Sequence, residues 1–242
     1  MLLAYKFRQW FWVGLDWLYP PVCGGCNRTG NRWCPDCQKQ VQNIREPICE
    51  KCGQPLFHPG QCRRCKQSAP PYEALRSWAI FDGPIRNALH SLKYRRNIAL
   101  GDSLARQLNE FAGKLGWPVD LVVPVPLGKI RTKDRGYNQV GLVARPLAQI
   151  NKWHYVPEAL VRKRETKSQV GLSVEERLEN VTGAFFADPE RVHGLNVLVI
   201  DDVATTGATL SACAVTLLEA GANRVYALTL ARALPRHGLK TV

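Results

Sequence analysis

The sequence predicts an α/β protein, with a parallel sheet flanked by helices and a small cysteine-rich module before it. The 242 residues suffice for one α/β domain of roughly 150–170 residues plus a small module. Eight of the nine cysteines fall within residues 23–65. After these cysteines, short apolar runs typical of strands alternate with segments whose apolar residues recur at helical spacing. Strands that alternate with helices favour a parallel sheet. We therefore divide the chain into a lead-in segment (1–20), a cysteine-rich module (21–70) and an α/β domain (71–242).

Residues 1–20 are predicted to form an apolar, amphipathic lead-in helix. Their apolar run is broken by Arg8, Gln9 and Asp16 and no small-residue cleavage site follows, which argues against a signal peptide. No other run reaches the ~18 apolar residues of a membrane span, so we expect no stable membrane insertion. Binding to a membrane surface is the alternative to packing on the protein. We expect a cytoplasmic protein with reduced thiols.

The cysteines form four C-x-x-C pairs, a spacing typical of structural zinc sites with four thiolate ligands. Metal binding would stabilise a module with few large aliphatic residues. Redox chemistry and an iron–sulfur cluster are the alternatives. We favour two zinc ions bound by sequential pairs, and the interleaved arrangement stays open. The predicted ligands are Cys23, Cys26, Cys34, Cys37, Cys49, Cys52, Cys62 and Cys65. The ninth cysteine, Cys213, is expected to pack in the core.

The formal net charge is +13. Eight thiolates and two zinc ions would lower it to +9, so the protein stays basic with both sites filled. A basic surface suits phosphate ligands, whether small molecules or nucleic acid. The alternative is that most of these Lys and Arg residues are simply solvated.

The α/β domain is predicted to contain four strands and three helical segments. The strands lie at 77–81, 121–125, 197–200 and 225–230, and the helical segments at 84–108, 139–150 and 210–220. The last helix is expected to stop at Gly221.

The most informative run is Val197–Thr209, with the sequence VLVIDDVATTGAT. Its apolar strand ends in Asp201 and Asp202, and a loop of small residues then opens a helix. Ligands of parallel sheets bind beyond the carboxyl ends of strands, and backbone N–H groups at a helix start suit a phosphate. The carboxylates suit ribose hydroxyls, or a Mg²⁺ ion shared with a sugar diphosphate. The alternative is an ordinary strand–turn–helix with a polar loop.

This run resembles the signature of type I phosphoribosyltransferases. The resemblance implies binding of 5-phosphoribosyl diphosphate (PRPP) together with Mg²⁺. It implies that Asp201 and Asp202 contact the ribose hydroxyls. The loop implied to hold the 5-phosphate consists of Ala204, Thr205, Thr206, Gly207, Ala208 and Thr209.

Nearly the whole chain resembles the ComF/GntX family, which combines a double zinc ribbon with such a domain and is associated with competence and DNA uptake. The matching segments are the cysteine pairs, Leu92-Lys93-Tyr94, Pro124-Val125-Pro126-Leu127, Arg135-Gly136-Tyr137-Asn138-Gln139, Gln169, Arg177, Asn180 and Gly183-Ala184-Phe185.

The resemblance also implies how the diphosphate of PRPP is held. It would lie at Val125, Pro126 and Leu127. Cations that would offset its charge follow at Lys129, Arg131, Lys133 and Arg135. Residues 162–177 look like the loop that closes over the donor. Within it, Arg162, Arg164 and Lys167 are implied to meet the leaving diphosphate, and we assign Arg164 and Lys167 as catalytic with Asp201 and Asp202. Ordinary solvated charges are the alternative.

Three functions remain open at this point. The first is a phosphoribosyltransferase in which a nitrogen nucleophile displaces diphosphate from the ribose. The second is a non-catalytic single-stranded DNA-binding protein that uses the site as a sensor or anchor, with a helicase-like DNA-uptake partner. It needs stacking aromatics, for which the candidates are Trp33, Trp78, Tyr94, Tyr137 and Trp153. The third is a zinc-ribbon adaptor with an inactive α/β domain, against which the intact Asp201 and Asp202 argue.

Overall fold

The centre of the molecule is a five-stranded, all-parallel sheet in the order β1-β7-β6-β2-β3. The computed structural model describes residues 20–164, 176 and 180–234. The strands are β1 (Leu75–Ile80), β2 (Leu121–Pro124), β3 (His154–Tyr155), β4 (Leu160–Arg162), β5 (Phe185–Ala187), β6 (Asn196–Ala204) and β7 (Arg224–Arg232). β4 and β5 form a separate antiparallel pair. The predicted α/β class with a parallel sheet is confirmed.

The helices are α1 (Pro35–Lys39), α2 (Arg63–Gln67), α3 (Gly83–Tyr94), α4 (Leu100–Gly113), α5 (Lys129–Arg135), α6 (Gly141–Asn151), α7 (Pro189–Val192) and α8 (Ala208–Glu219), with a 3₁₀ turn at Pro157–Ala159. α8 packs on one face of the sheet, and α3, α4 and α6 pack on the other. Successive strand residues point to opposite faces. In β6, Val197 and Val199 join the core beneath α8, whereas Leu198 and Ile200 join the core beneath α3, α4 and α6.

The helical segment predicted at 84–108 is two helices, so this prediction was wrong in its extent. Between α3 and α4 the chain turns, with Arg96 in the left-handed region at φ 51°. Ile85 and Leu104 enter the same core on either side of the turn, so apolar spacing alone does not reveal the break. The helix predicted to stop at Gly221 ends as expected, and Gly221 has φ 94°.

The cysteine-rich module covers the free edge of β1. The Ile80 N–H donates to the Gln42 carbonyl at 2.7 Å, and the Leu75 N–H donates to the Lys51 carbonyl at 2.7 Å. A sheet edge left open exposes unpaired backbone groups, so the module completes the sheet. The predicted lead-in helix lies outside the described residues except for Pro20. In the described part of the chain, no helix has the length and apolar character needed to span a membrane.

Candidate functional site

The first four cysteines converge on one point. The sulfur atoms of Cys23, Cys26, Cys34 and Cys37 all lie within 4.8 Å of one another. A tetrahedral zinc ion with Zn–S bonds of about 2.3 Å places its sulfurs about 3.8 Å apart. The Cys23–Cys37 and Cys26–Cys34 sulfur pairs are separated by 3.6 and 3.7 Å. The spacing fits a four-thiolate zinc site.

The second group has the same geometry and is more deeply buried. It consists of Cys49, Cys52, Cys62 and Cys65. The sulfurs of Cys52 and Cys62 are 3.7 Å apart, and the Cys62 N–H donates to the Cys49 sulfur at 3.3 Å. The predicted sequential arrangement is therefore confirmed, and the interleaved one is excluded. Cys213 is fully buried in the main core, as expected.

Two polar side chains bind the second carboxylate of β6. Asp202 is 8% exposed, and its Oδ2 lies 2.8 Å from the Lys93 Nζ. The Gln139 Nε2 donates to the same oxygen at 3.0 Å. Lys93 comes from the end of α3 and Gln139 from the turn before α6. Both belong to segments that resemble the ComF/GntX family, but no local pattern in the sequence indicates their contact with an acid over 60 residues away.

The two aspartates have opposite pKa shifts. Burial and then the charge of Asp202 raise the pKa of Asp201 to about 7. Burial acts in the same direction on Asp202, but Lys93 and then Gln139 hold the pKa of Asp202 below its ordinary value. At neutral pH the pair therefore offers one carboxylate and one group near its midpoint. Such divergent pKa values are typical of functional carboxylates.

Asp201→Asn is expected to stabilise the protein above neutral pH. The folded state raises the pKa of Asp201, so it binds more protons than the unfolded state between about pH 4 and 7, and stability falls as the pH rises through that window. Asparagine cannot ionise, so the variant avoids the free-energy cost of an ionised Asp201 in the folded state. We expect a gain of about 1–2 kcal/mol in the free energy of unfolding at pH 8, a modest value because Asp201 is partly exposed and solvent screens its charge. Thermal unfolding of both proteins at pH 5 and pH 8 tests this. An equal difference at the two pH values would contradict it.

The predicted phosphate loop connects β6 to α8. Gly207 has φ 82°, a conformation that favours glycine, and a Cβ there would lie 3.2 Å from the Tyr72 hydroxyl. The Thr206 hydroxyl accepts from the Ala208 N–H at 3.3 Å, and the Thr206 carbonyl accepts from the Arg64 guanidinium at 2.8 Å. The loop therefore lies against the cysteine-rich module, a contact that sequence patterns did not predict.

The segment after β2 lies beside the carboxylates. The Val125 N–H donates to the Ile200 carbonyl at 2.8 Å, one residue before Asp201. Pro126 and Leu127 follow and are half-buried. The structure therefore brings the end of β2 and the end of β6 to one edge of the sheet.

Arg135 reaches the carboxylates through a neighbour. Its guanidinium donates to the Gln139 amide oxygen at 2.8 Å and lies 5.3 Å from the centre of the Tyr94 ring. Gln139 in turn binds Asp202. The other cations proposed after β2, at positions 129, 131 and 133, lie on α5.

The closing loop is only partly described. The Arg164 guanidinium donates to the Asn180 and Thr182 carbonyls at 3.1 and 2.8 Å. Arg162 lies over the Phe185 ring at 5.0 Å. Lys167, Gln169 and Arg177 lie outside the described residues.

Comparisons with known proteins agree with this organisation. Residues 14–66 match the model of the double zinc ribbon domain. The chain is 35% identical over 225 residues to DNA utilization protein YhgH of Salmonella typhi, covering 89% of this chain and 98% of that protein. It is 28% identical to competence protein F of Haemophilus influenzae, covering 87% and 94% of the two chains.

Among solved structures, the chain is similar to an adenine phosphoribosyltransferase from Saccharomyces cerevisiae. The TM-score is 0.36 and the identity 17%, covering 57% of this chain and 70% of that one. The predicted fold class, a type I phosphoribosyltransferase-like parallel sheet with an N-terminal double zinc ribbon, is confirmed by the sheet and the two cysteine sites described above. Because the chain is 35% identical to YhgH along nearly the whole length of both proteins, it belongs to the ComF family, as do YhgH and competence protein F.

Proposed function

We propose that this protein binds PRPP with Mg²⁺ at the carboxyl edge of the sheet. One observation carries the proposal: two adjacent carboxylates on β6 lie where β2 and β6 end side by side, and the loop predicted to hold a phosphate follows them directly. Residues 204–209 would hold the 5-phosphate through backbone N–H groups and threonine hydroxyls. Asp201 and Asp202 would hold the ribose hydroxyls, and residues 125–127 the diphosphate.

The carboxylate oxygens also suit Mg²⁺, which prefers oxygen ligands and is commonly shared between a protein and a diphosphate. Among the described residues, no cation lies as close to Asp201 as Lys93 lies to Asp202, which favours Asp201 as the acid nearest the metal. The bound metal would supply positive charge to the diphosphate. Lys93 keeps Asp202 ionised, so that carboxylate can accept hydrogen bonds from the ribose.

We further propose transfer of the phosphoribosyl group to a nitrogen acceptor. The nitrogen lone pair forms the new bond to the anomeric carbon as the carbon–oxygen bond to diphosphate breaks, with no covalent intermediate. The protein would position the donor and stabilise the departing charge. Arg164 and Lys167 remain the proposed cations for that charge. Arg164 would have to exchange its two carbonyl partners to meet it.

We also propose a cytoplasmic role in handling DNA, and the names of relatives, a DNA utilization protein and a competence protein, support the link to DNA. The second candidate function is single-stranded DNA binding, with a helicase-like partner. One observation favours it: Tyr94 is 63% exposed, stands under the Arg135 guanidinium and precedes two exposed arginines at positions 95 and 96. Of the other aromatic candidates, Trp78 is buried in the core and cannot stack on bases.

Titration calorimetry with Mg²⁺ and PRPP tests the first proposal. We expect the wild type to bind and the Asp201→Asn/Asp202→Asn variant to lose about tenfold to a hundredfold in affinity, because it loses two charged contacts. Glu110→Gln removes an exposed acid on α4, a helix that carries none of the residues proposed to bind PRPP, and serves as the control. No binding by zinc-loaded wild type would exclude the PRPP proposal and leave DNA binding as the function to test.

A further inference from the structure

We infer that the second zinc site orients the phosphate loop, with Arg64 as the positioning residue. The inference rests on the proposed function, since it concerns how the same loop would bind phosphate. It connects two parts of the chain that are far apart in sequence: Arg64 and Thr206 are 142 positions apart.

The backbone of Arg64 is held by the cysteines on both sides of it. Cys62 is the N-cap of α2, and Cys65 lies within the same five-residue helix. The Lys66 N–H donates to the Cys62 carbonyl at 3.0 Å, and the Cys62 N–H donates to the Cys49 sulfur at 3.3 Å. A helix of this length has little stability of its own. Its conformation, and thus the position of Arg64, therefore depends on the metal that its cysteines share.

The hydrogen bond from Arg64 fixes the orientation of one peptide group. The carbonyl of Thr206 and the N–H of Gly207 belong to the same planar trans peptide, so they point in opposite directions. With the carbonyl turned to Arg64 at 2.8 Å, the Gly207 N–H points away from the cysteine-rich module. Among the described residues this N–H has no acceptor. It is a donor left available for a ligand.

The opposite orientation of this peptide would disfavour a phosphate. Gly207, in the left-handed region, lacks the Cβ that would hinder rotation of the peptide. If it rotated, the Thr206 carbonyl oxygen would face the phosphate and repel it. Arg64 stabilises the favourable orientation, and its charge polarises the amide so that the N–H becomes a stronger donor. Zinc in the second site and phosphate in the loop should therefore favour each other's binding.

The test compares Arg64→Met with Arg64→Lys and with Arg63→Met, a control on the same helix whose side chain is exposed. Mg²⁺ and PRPP are titrated into each protein, and zinc content and melting temperature are measured in parallel. We expect Arg64→Met to bind about fivefold to tenfold more weakly. Arg64→Lys should recover part of the affinity, because an ammonium group can also donate to the carbonyl. Arg63→Met should bind as the wild type does, and all four proteins should hold two zinc ions.

Unchanged affinity in Arg64→Met, with binding by the wild type, would overturn the inference and leave the proposed function standing. The inference would also be overturned if Arg64→Met bound less zinc or melted at a lower temperature than the wild type, because general damage to the fold would then explain its weaker binding of PRPP. If the wild type does not bind PRPP, the proposed function fails, and hydrogen exchange of residues 204–209 decides the inference separately. Faster exchange in Arg64→Met than in Arg63→Met supports the positioning role, and equal exchange overturns it.

Discussion

Cys52→Ser is expected to lower the zinc content from two ions to one per chain and to destabilise the protein by at least about 5 kcal/mol. Cys52 is fully buried, and its sulfur lies 3.7 Å from that of Cys62. Serine is a poor zinc ligand, so the change leaves three of the four ligands of the second zinc site. In isolated peptides, zinc binding to a structural site contributes about 10–16 kcal/mol of folding free energy. Three remaining ligands would keep only part of this free energy.

The damage should extend beyond the second zinc site. Lys51, next to Cys52, accepts the Leu75 N–H at the free edge of β1. We therefore expect loss of the metal to loosen the edge of the sheet as well. Metal analysis and thermal unfolding measure both effects.

Cys213→Ala is the matched comparison for Cys52→Ser. Cys213 is buried in the main core, away from both cysteine clusters. Its replacement should keep two zinc ions and cost only about 1 kcal/mol. If Cys52→Ser also kept two zinc ions and an unchanged melting temperature, Cys52 would not be a ligand.

Lys93→Met is expected to destabilise the protein by about 2–4 kcal/mol at pH 7, or roughly 5–15 °C in melting temperature. The Lys93 ammonium lies 2.8 Å from an Asp202 oxygen, and both side chains are largely buried. Methionine has a similar volume, so the main loss is the charge. Asp202 would then be a buried carboxylate beside Asp201 that has lost its ion-pair partner.

The pH dependence identifies the cause. The pKa of Asp202 is lowered in the wild type, so the ion pair contributes stability above the unfolded pKa of about 4, and this contribution is lost as the pH falls through the folded value. The deficit of Lys93→Met should therefore be largest near neutral pH and shrink in acid, where a protonated Asp202 needs no cation.

Two further variants complete the test of Lys93. Lys93→Met/Asp202→Asn should be more stable than Lys93→Met at pH 7, because the unpaired charge is gone. Lys114→Met, at an exposed position after α4, should stay within about 0.5 kcal/mol of the wild type. A deficit independent of pH and not relieved by the double change would mean that Lys93 acts through packing alone.

The sequence could predict features that depend on local pattern. The spacing of the paired cysteines predicted both cysteine clusters. The Val197–Thr209 run predicted a strand that is followed by a loop and a helix. The sequence could not predict features that depend on distant contacts. The Lys93–Asp202 ion pair and the Arg64–Thr206 hydrogen bond each join segments more than 100 positions apart. The short strands β3, β4 and β5 were also missed, since two or three residues carry no recognisable period.

The strand order has a consequence for how the protein is made. β7, the last strand of the sheet to leave the ribosome, inserts between β1 and β6, so the first strand of the sheet has no neighbour within it until residue 232 is available. During synthesis, the cysteine-rich module is complete early and can protect one side of β1 while the other side stays open. Early metal uptake would then act as a safeguard against misassembly, and zinc starvation should increase aggregation of newly made chains before it affects chains already folded.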